Sequence, residues 1–213
     1  MPLIWFLVLS GLLTLVQGHG MLIDPVNRAS RFRYDGRATP DWNDNGLNCG
    51  GYSLQHGLNG GKCGICGDSY SDRRPRAHEL GGRWGDGVVV RSYKSGSQIT
   101  ASVRITSNHK GYFKFDLCNM DPLKASGKKM EEESCFNVPV KTVDGKETYL
   151  LPSTAARVYD VELQLPEGLT CKHCVLRWTY TTGNSWGWCG DGTGKLGCGA
   201  QETFRTCSDI EII

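Results

Sequence analysis

The most chemically informative residue is His19, which follows an apolar stretch without charged residues at positions 1–18. Val16 and Gly18 stand at the −3 and −1 positions of a secretory cleavage site. We therefore predict a signal peptide at 1–18 and a mature chain that begins with His19. An N-terminal histidine carries a free α-amine and an imidazole Nδ1, and these two nitrogens together can chelate one metal ion.

His109 is the candidate that would complete such a site. It lies in residues 107–111, a turn by composition between two segments of alternating apolar residues. We interpret 98–106 and 112–117 as the strands of a β-hairpin, with His109 exposed at its tip. One amine and two imidazoles suit Cu(II) better than the other first-row divalent ions. The remaining histidines have no such partner, and we interpret them as structural or surface residues: His56, His78 and His173.

Ten cysteines lie in the predicted mature chain, and an even number in an exported protein indicates up to five disulfides. Their pairing is not given by the sequence. Cys63 and Cys66 have the spacing of a redox motif, and Cys171 and Cys174 have that of half a zinc site. We favour disulfides for both pairs because of the predicted compartment. The predicted disulfide residues are Cys49, Cys63, Cys66, Cys118, Cys135, Cys171, Cys174, Cys189, Cys198 and Cys207.

Length and charge predict one exported domain over residues 19–213. Without the signal peptide the chain has 195 of its 213 residues, enough for a single domain with its own core. The net charge of +2 is too small to indicate a nucleic-acid-binding face, and no second apolar run is long enough to cross a bilayer. We expect a secreted monomer with no nucleic-acid partner and no membrane attachment.

The fold class is predicted as all-β, an immunoglobulin- or fibronectin-III-like antiparallel β-sandwich with long disulfide-pinned loops. Besides the hairpin, alternating apolar residues predict strands at 158–165 and 176–180, and we expect a last strand at 204–213. No segment has a sustained helical period. Residues 19–87 and 182–199 are rich in glycine, and we expect loops there that are held by cysteines.

Five segments, in this order along the chain, resemble one protein family: 19–20 (HG), 105–111 (ITSNHKG), 118–122 (CNMDP), 181–187 (TTGNSWG) and 199–207 (GAQETFRTC). The family is the lytic polysaccharide monooxygenases, and within it the animal type, auxiliary activity family fifteen. The resemblance covers essentially the whole predicted mature chain. Each segment alone is weak, whereas the five in this order are specific.

The resemblance implies a histidine brace, in which copper is held by the amine and Nδ1 of His19 and by Nε2 of His109. It places Phe204 at the axial position, where a phenyl ring cannot ligate and would shield the metal. It gives Glu202 a polar role near the oxygen site, although the sequence alone also allows a surface carboxylate. Ser107 stands where family members commonly have alanine, so its hydroxyl adds a hydrogen-bonding group beside the site.

The resemblance also implies an enzyme with one copper ion that uses an external electron donor and H2O2 or O2. Such an enzyme oxidises C1 or C4 of a β-1,4-linked chain and needs no pair of glycosidase carboxylates. Crystalline chitin is the expected substrate, because the resemblance is to animal proteins, and cellulose is the alternative. Two other hypotheses are a copper-binding protein without turnover and a non-catalytic chitin- or cellulose-binding module. The module would bind through loop aromatics that are either exposed or part of a small core: Trp42, Tyr52 and Tyr70.

Overall fold

The computed structural model describes residues 19–213, so the predicted signal peptide lies outside the described residues. Within this range the chain forms twelve strands: β1 (His19–Asp24), β2 (Arg91–Tyr93), β3 (Gln98–Ser107), β4 (Tyr112–Asn119), β5 (Val138–Pro139), β6 (Lys141–Thr142), β7 (Tyr149–Leu150), β8 (Val158–Gln164), β9 (Cys171–Thr181), β10 (Trp186–Trp188), β11 (Gly194–Leu196) and β12 (Thr203–Ile212). The helical segments are short: α1 (Asp121–Ala125), 3₁₀ turns at Arg31–Arg33 and Glu133–Cys135, and a π turn at Leu54–Leu58. Among the described residues, no helix has the length and apolar character needed to span a membrane.

The strands form two main sheets. In the first sheet β1, β3, β8 and β6 lie side by side in that order, and all pairs are antiparallel. In the second sheet the order is β2, β12, β9, β4 and β5, and β7 also pairs with β4. Here β2 runs parallel to β12, whereas the other pairs are antiparallel. This arrangement confirms the predicted antiparallel β-sandwich.

The core lies between the two sheets and is filled by the alternating apolar residues. Every second residue of β3 from Ile99 to Ile105 is at most 5% exposed, and the residues between them reach solvent. The second sheet contributes large buried side chains: Phe113, Phe115, Leu117, Leu176, Trp178, Tyr180 and Phe204. Since burying one such side chain stabilises the fold by ~1.5–3 kcal/mol, the two sheets form a firm framework for the loops.

The predicted hairpin of 98–106 and 112–117 is wrong, because β3 and β4 belong to different sheets. Residues 108–111 cross between the sheets, and Lys110 and Gly111 adopt the left-handed backbone region at φ 56° and 86°. A Cβ on Gly111 would lie 2.0 Å from the Thr181 carbonyl oxygen, so the crossing requires glycine there. Alternating burial is the same whether consecutive strands pair side by side or face each other across a core. The sequence pattern therefore does not separate the two arrangements.

Three strands fall in segments that were predicted as loops. β1 begins the segment 19–87, and β10 and β11 form a small antiparallel hairpin within 182–199. β1 has adjacent buried residues, Met21 and Leu22, and therefore no alternation. Gly20 lets this strand pack closely, because a Cβ there would lie 2.5 Å from Ile105 Cδ1.

The ten cysteines form five disulfides, as predicted: Cys49–Cys63, Cys66–Cys207, Cys118–Cys135, Cys171–Cys174 and Cys189–Cys198. Cys63 and Cys66 have different partners, so they are not a redox pair. Cys171 and Cys174 pair with each other, which excludes the half zinc site. The Cys66–Cys207 bridge spans 141 residues and attaches the N-terminal loops to β12. In the chain-entropy model, a bridge closing so long a loop stabilises the fold by about 5 kcal/mol.

Candidate metal centre

His19 begins β1 at the edge of the first sheet. In the β1–β3 pair it lies opposite Ser107, the last residue of β3. The Gly20 N–H donates to the Asn45 carbonyl at 3.0 Å, and the Thr106 hydroxyl donates to the His19 carbonyl at 3.4 Å. These contacts fix the backbone at His19, whose side chain is half-buried.

His109 lies two residues beyond β3, in the crossing between the sheets. Its N–H donates to the Tyr180 hydroxyl at 3.0 Å, and its carbonyl accepts from the Gly183 N–H at 2.9 Å. The side chain of the preceding residue, Asn108, donates to the Tyr159 hydroxyl at 2.8 Å. Since Tyr159 belongs to the first sheet and Tyr180 to the second, contacts from both sheets hold the main chain at this position.

Both ring nitrogens of His109 have polar neighbours. The Asn184 amide lies 2.9 Å from Nδ1, and the Ser107 hydroxyl lies 3.5 Å from Nε2. The oxygen and nitrogen of an amide side chain are assigned from their hydrogen bonds, so Asn184 can also present its oxygen to an Nδ1–H. A histidine ligand commonly donates its second ring N–H to such a group. The amide nitrogen faces Nδ1 in the structure, and the flipped amide would accept from the Nδ1–H and select the tautomer in which Nε2 carries the lone pair.

The electrostatic surroundings keep the His109 ring neutral. Burial lowers the pKa of His109 from its usual range, the Glu202 carboxylate opposes this, and His19 lowers the pKa further. Because such interactions weaken with distance, His19 and Glu202 both lie in the neighbourhood of this ring. Neutral imidazole is the form that binds a metal ion.

An aromatic pair packs beside the two histidines. Phe204 of β12 is fully buried, and its ring centroid lies 6.3 Å from that of His19 and 5.8 Å from that of Tyr180. Burial raises the pKa of Tyr180 to about 12, so its hydroxyl stays protonated at neutral pH. Phe204 thus presents to His19 an apolar ring that cannot act as a ligand.

Glu202 lies immediately before β12 and is only 8% exposed. Its Oε1 accepts from the Asn48 amide at 3.2 Å, and its carbonyl accepts from the Thr182 N–H at 3.0 Å. The alternative of a surface carboxylate is therefore wrong. The carboxylate is held between the N-terminal loops and the segment that follows β9, within electrostatic reach of His109.

Two of the remaining histidines join elements of the framework, in keeping with the structural interpretation. His56 Nε2 lies 2.9 Å from the Gln201 carbonyl, which links the π turn to the residue before Glu202. His173 Nε2 lies 2.7 Å from Asp209, so its ring connects β9 with β12.

His78 is surrounded by charge. Its Nδ1 lies 2.7 Å from Asp68 and its Nε2 lies 2.9 Å from Asp41, and the ring stacks on Trp84. Burial opposes the charged ring, but the two carboxylates outweigh this effect and raise the pKa of His78. Both ring nitrogens are occupied, so this histidine joins two loops and has no nitrogen left for a metal.

The loop aromatics are exposed, which decides between the two interpretations left open by the sequence: Trp42, Tyr52 and Tyr70. A second exposed pair lies on β10, where Trp186 is 57% and Trp188 is 69% exposed and their ring centroids are 5.3 Å apart. β10 begins two residues after Asn184, the neighbour of His109, and the Cys189–Cys198 disulfide closes its hairpin. No role for this pair follows from the sequence alone.

Three residues that the sequence analysis did not single out contact candidate site residues: Tyr180, Asn184 and Asn48. Asn184 lies in segment 181–187, which carries part of the family resemblance, so the segment was visible but its contact was not. Tyr180 was predicted only as a strand residue. Asn48 gave no signal, because its contact with Glu202 joins positions 154 residues apart.

The donor set in this region fits copper. After cleavage before His19, that residue would offer an amine and an imidazole, and His109 would add a second imidazole. Nitrogen donors of this kind favour Cu(II) among the first-row divalent ions. The fixed backbone at both histidines, the lowered pKa of His109 and the apolar ring of Phe204 agree with such a site.

Comparisons with known proteins agree with the family resemblance of the sequence. Residues 19–210 match the family model described as lytic polysaccharide mono-oxygenase, cellulose-degrading. A search of curated proteins gives no match. Among solved structures, the AA15 lytic polysaccharide monooxygenase from Thermobia domestica in the Cu(I) state is similar, with 43% identity and a TM-score of 0.85, over 91% of this chain and 98% of that chain. The cellulose-active enzyme CelS2 in complex with copper is 17% identical with a TM-score of 0.53, over the same shares, and this shows the fold alone.

Proposed function

The chain belongs to the lytic polysaccharide monooxygenase family, and from that premise we propose a secreted enzyme that cleaves crystalline chitin by oxidation. It is a copper-dependent monooxygenase of the AA15 type, a class that acts at polysaccharide surfaces with an external reductant. We further propose that the mature chain begins at His19, that His19 and His109 hold the copper ion, and that chitin is preferred to cellulose.

The register of β1 against β3 is the observation that supports the proposed copper site. His19 lies opposite Ser107 in the β1–β3 pair, and His109 follows Ser107 by two residues. The effect of His19 on the pKa of His109 supports their proximity. The two histidines would provide the amine, Nδ1 and Nε2 of the brace.

The beginning of the family match supports cleavage before His19. The match starts at residue 19, and the preceding residues 1–18 have the composition of a signal peptide. Five disulfides are in keeping with an oxidising compartment. Export would therefore bring the chain into an oxidising compartment, and cleavage before His19 would free the amine that the site needs.

Bound copper would supply one-electron redox chemistry, through which H2O2 or O2 becomes able to attack a C–H bond. The protein's own residues hold and shield the reacting region. Asn184 fixes the orientation of the His109 ring, and Phe204 keeps one side apolar. Glu202, held at Oε1 by Asn48, would accept or release a proton next to His109.

The exposed aromatic pair of β10 supports docking on a polysaccharide. Flat rings match the apolar faces of pyranose units, and Trp186 and Trp188 lie shortly after Asn184 in the chain. Chitin is proposed first because the resemblance is to animal enzymes. Cellulose is the second candidate, because the description of the matching family model names it.

Mass spectrometry of soluble products tests the proposal directly. Crystalline chitin and cellulose are each incubated with the copper-loaded enzyme, with and without a reductant. We expect oxidised oligosaccharides from chitin only when the reductant is present. Products from cellulose alone would overturn the choice of substrate.

A chain with one extra residue before His19 tests the copper site separately. The extension converts the amine into an amide, so tight copper binding and activity should be lost while the fold remains. Calorimetry that shows unchanged copper affinity for this chain would contradict the brace. N-terminal sequencing of the exported protein checks the cleavage site.

A further inference from the structure

A cavity on the outer face of the second sheet is separate from the candidate copper site. Its volume is about 460 Å³, and it lies between the 61–76 loop and β12. Arg205 lines the cavity, whereas the preceding residue, Phe204, packs into the core on the opposite face of the strand. The other charged and aromatic side chains that line it are Lys62, Tyr70, Arg74, Arg76 and Glu133.

The loop side of the cavity has more positive than negative charge. Arg74 and Arg76 share the single carboxylate of Glu79, with Arg74 Nε at 2.7 Å from it. Lys62 lies over the Tyr70 ring, 5.1 Å from its centroid, and no carboxylate within residues 19–213 forms an ion pair with it. The Arg74–Arg76–Glu79 group therefore retains one positive charge on this wall, and Lys62 adds a second.

The sheet side of the cavity is close to neutral, so the excess positive charge lies on the loop side. Glu133 is shared by two arginines, with Arg177 at 2.8 Å and Arg205 at 3.4 Å. Asp116 pairs with Arg177 at 3.3 Å. The cations that line the cavity itself are Lys62, Arg74, Arg76 and Arg205, and Glu133 is the one carboxylate among its lining residues.

Arg205 is only partly compensated by its contact with Glu133. Its Nε is buried, and no group in the described part of the chain accepts a hydrogen bond from it. Burial and the neighbouring charge of Arg177 lower the pKa of Arg205 to about 10. A buried charge without full pairing is unfavourable, so an anion next to this guanidinium would stabilise the folded protein.

We propose that this cavity is a binding site for an oxyanion, the sulfate or carboxylate group of a small molecule or of an acidic sugar. The forked donors of arginine match the paired oxygens of these groups, and Lys62 adds a mobile charge from the loop side. The volume accommodates a ligand of the size of a sugar unit. The copper ion and its histidines take no part in this binding.

Calorimetric titration of the whole mature protein with sodium sulfate tests the site. Sodium chloride at matched ionic strength corrects for screening, and millimolar concentrations avoid the general stabilisation that concentrated sulfate gives. We expect saturable binding that Lys62→Gln and Arg205→Gln each weaken at least about tenfold. Arg104→Gln is the matched control, because Arg104 is exposed on β3 of the other sheet, and its loss should leave the affinity unchanged.

Lys62→Gln keeps the test decisive if Arg205→Gln does not fold, since Lys62 is exposed. A sulfated disaccharide that binds more tightly than inorganic sulfate would identify a sugar-borne anion, and equal affinities would identify a free anion. Three results would overturn the proposal. They are no sulfate binding at matched ionic strength, a loss of sulfate affinity in Arg104→Gln as large as in Lys62→Gln, and an uncharged disaccharide that binds as tightly as the sulfated one. Copper affinity should be the same in all four proteins.

Discussion

His109 and His78 are two histidines in opposite surroundings. His78 is buried between Asp41 and Asp68, and the pKa of His78 is raised. His109 is half-buried, its Nδ1 faces the Asn184 amide, and the pKa of His109 is lowered. One environment holds a cation, whereas the other keeps the ring neutral and leaves Nε2 for a ligand.

The contrast teaches that burial lowers the pKa of a histidine, as at His109, and that a pair of carboxylates can outweigh burial, as at His78. Two carboxylates occupy both nitrogens of His78 and make its ring part of an ion pair. A neutral amide orients the His109 ring without charging it. The position of a histidine in the sequence does not reveal which case applies, but substitutions at each site separate the two roles.

The largest expected effect is on copper binding by His109→Ala. Loss of a ligand should reduce the affinity by more than the ~10–100-fold that loss of an orienting partner costs. The unfolding free energy without copper should change by about 1 kcal/mol or less, because the core residues are untouched. Calorimetry and the copper EPR signal, which should pass from three nitrogens to two, provide the measurement.

His56→Ala is the control for that substitution. Its ring contacts only the Gln201 carbonyl among the hydrogen bonds described, so copper affinity should remain that of the wild type. If His56→Ala loses copper while His109→Ala retains it, the wrong histidine has been assigned to the brace.

His78→Gln should reduce the stability of the fold rather than copper binding, the reverse of His109→Ala. Removing the positive partner leaves two carboxylates buried near each other, and breaking a buried pair in this way typically costs ~3–5 kcal/mol. Copper affinity should not change. Urea denaturation gives the free energy of unfolding, and a variant as stable as the wild type would show that His78 does not hold these loops.

Asn184→Ala should weaken copper binding by ~10–100-fold, because the His109 ring loses the partner that selects its tautomer. Asn184→Asp retains an acceptor for the Nδ1–H and should recover most of the affinity. Calorimetric titration compares the three proteins. Equal affinities for all of them would remove Asn184 from the site.

A smaller effect is expected in the pH dependence of stability. Since the pKa of His78 is raised above 6.5 in the folded state, its contribution is complete below that value and is lost as the pH rises through the folded pKa. For Asp41, burial opposes the shift but the His78 hydrogen bond helps to lower the pKa below 3.8, so its contribution is lost on acidification. The difference in unfolding free energy between wild type and His78→Gln should therefore become smaller as the pH rises through the folded pKa of His78. Urea denaturation from pH 5 to 9 checks this, and a difference that widens would contradict it.

The framework was predictable where apolar residues recur at every second position of the sequence. β3 and β8 follow from this pattern and alternate in burial, whereas β9 and β12 were predicted although both of their faces are largely buried. β1 was missed because Gly20 is followed by two adjacent buried residues, and its place in the sheet depends on packing against Ile105. The β3–β4 connection was misassigned because a crossing between sheets and a hairpin have the same local pattern.

The candidate site was predictable only in part. His19 followed from the cleavage site and His109 from a turn, and the resemblance supplied Phe204 and Glu202. Asn184 and Asn48 were out of reach, since their contacts join residues far apart in sequence. The disulfide pairing was open for the same reason, because only the folded chain brings each pair of sulfurs together.

The crossing at His109 also has a mechanical consequence. His19 belongs to a strand of the first sheet, and the main chain of His109 is bonded to Tyr180 of the second sheet. An ion held by both histidines would therefore cross-link the two sheets at this end of the sandwich. Local opening at this end should then become rarer with copper, and amide hydrogen exchange should slow in residues 19–24 and 105–111. At the start of β3, at the far end of the same strand, the exchange rate should be the same with and without copper.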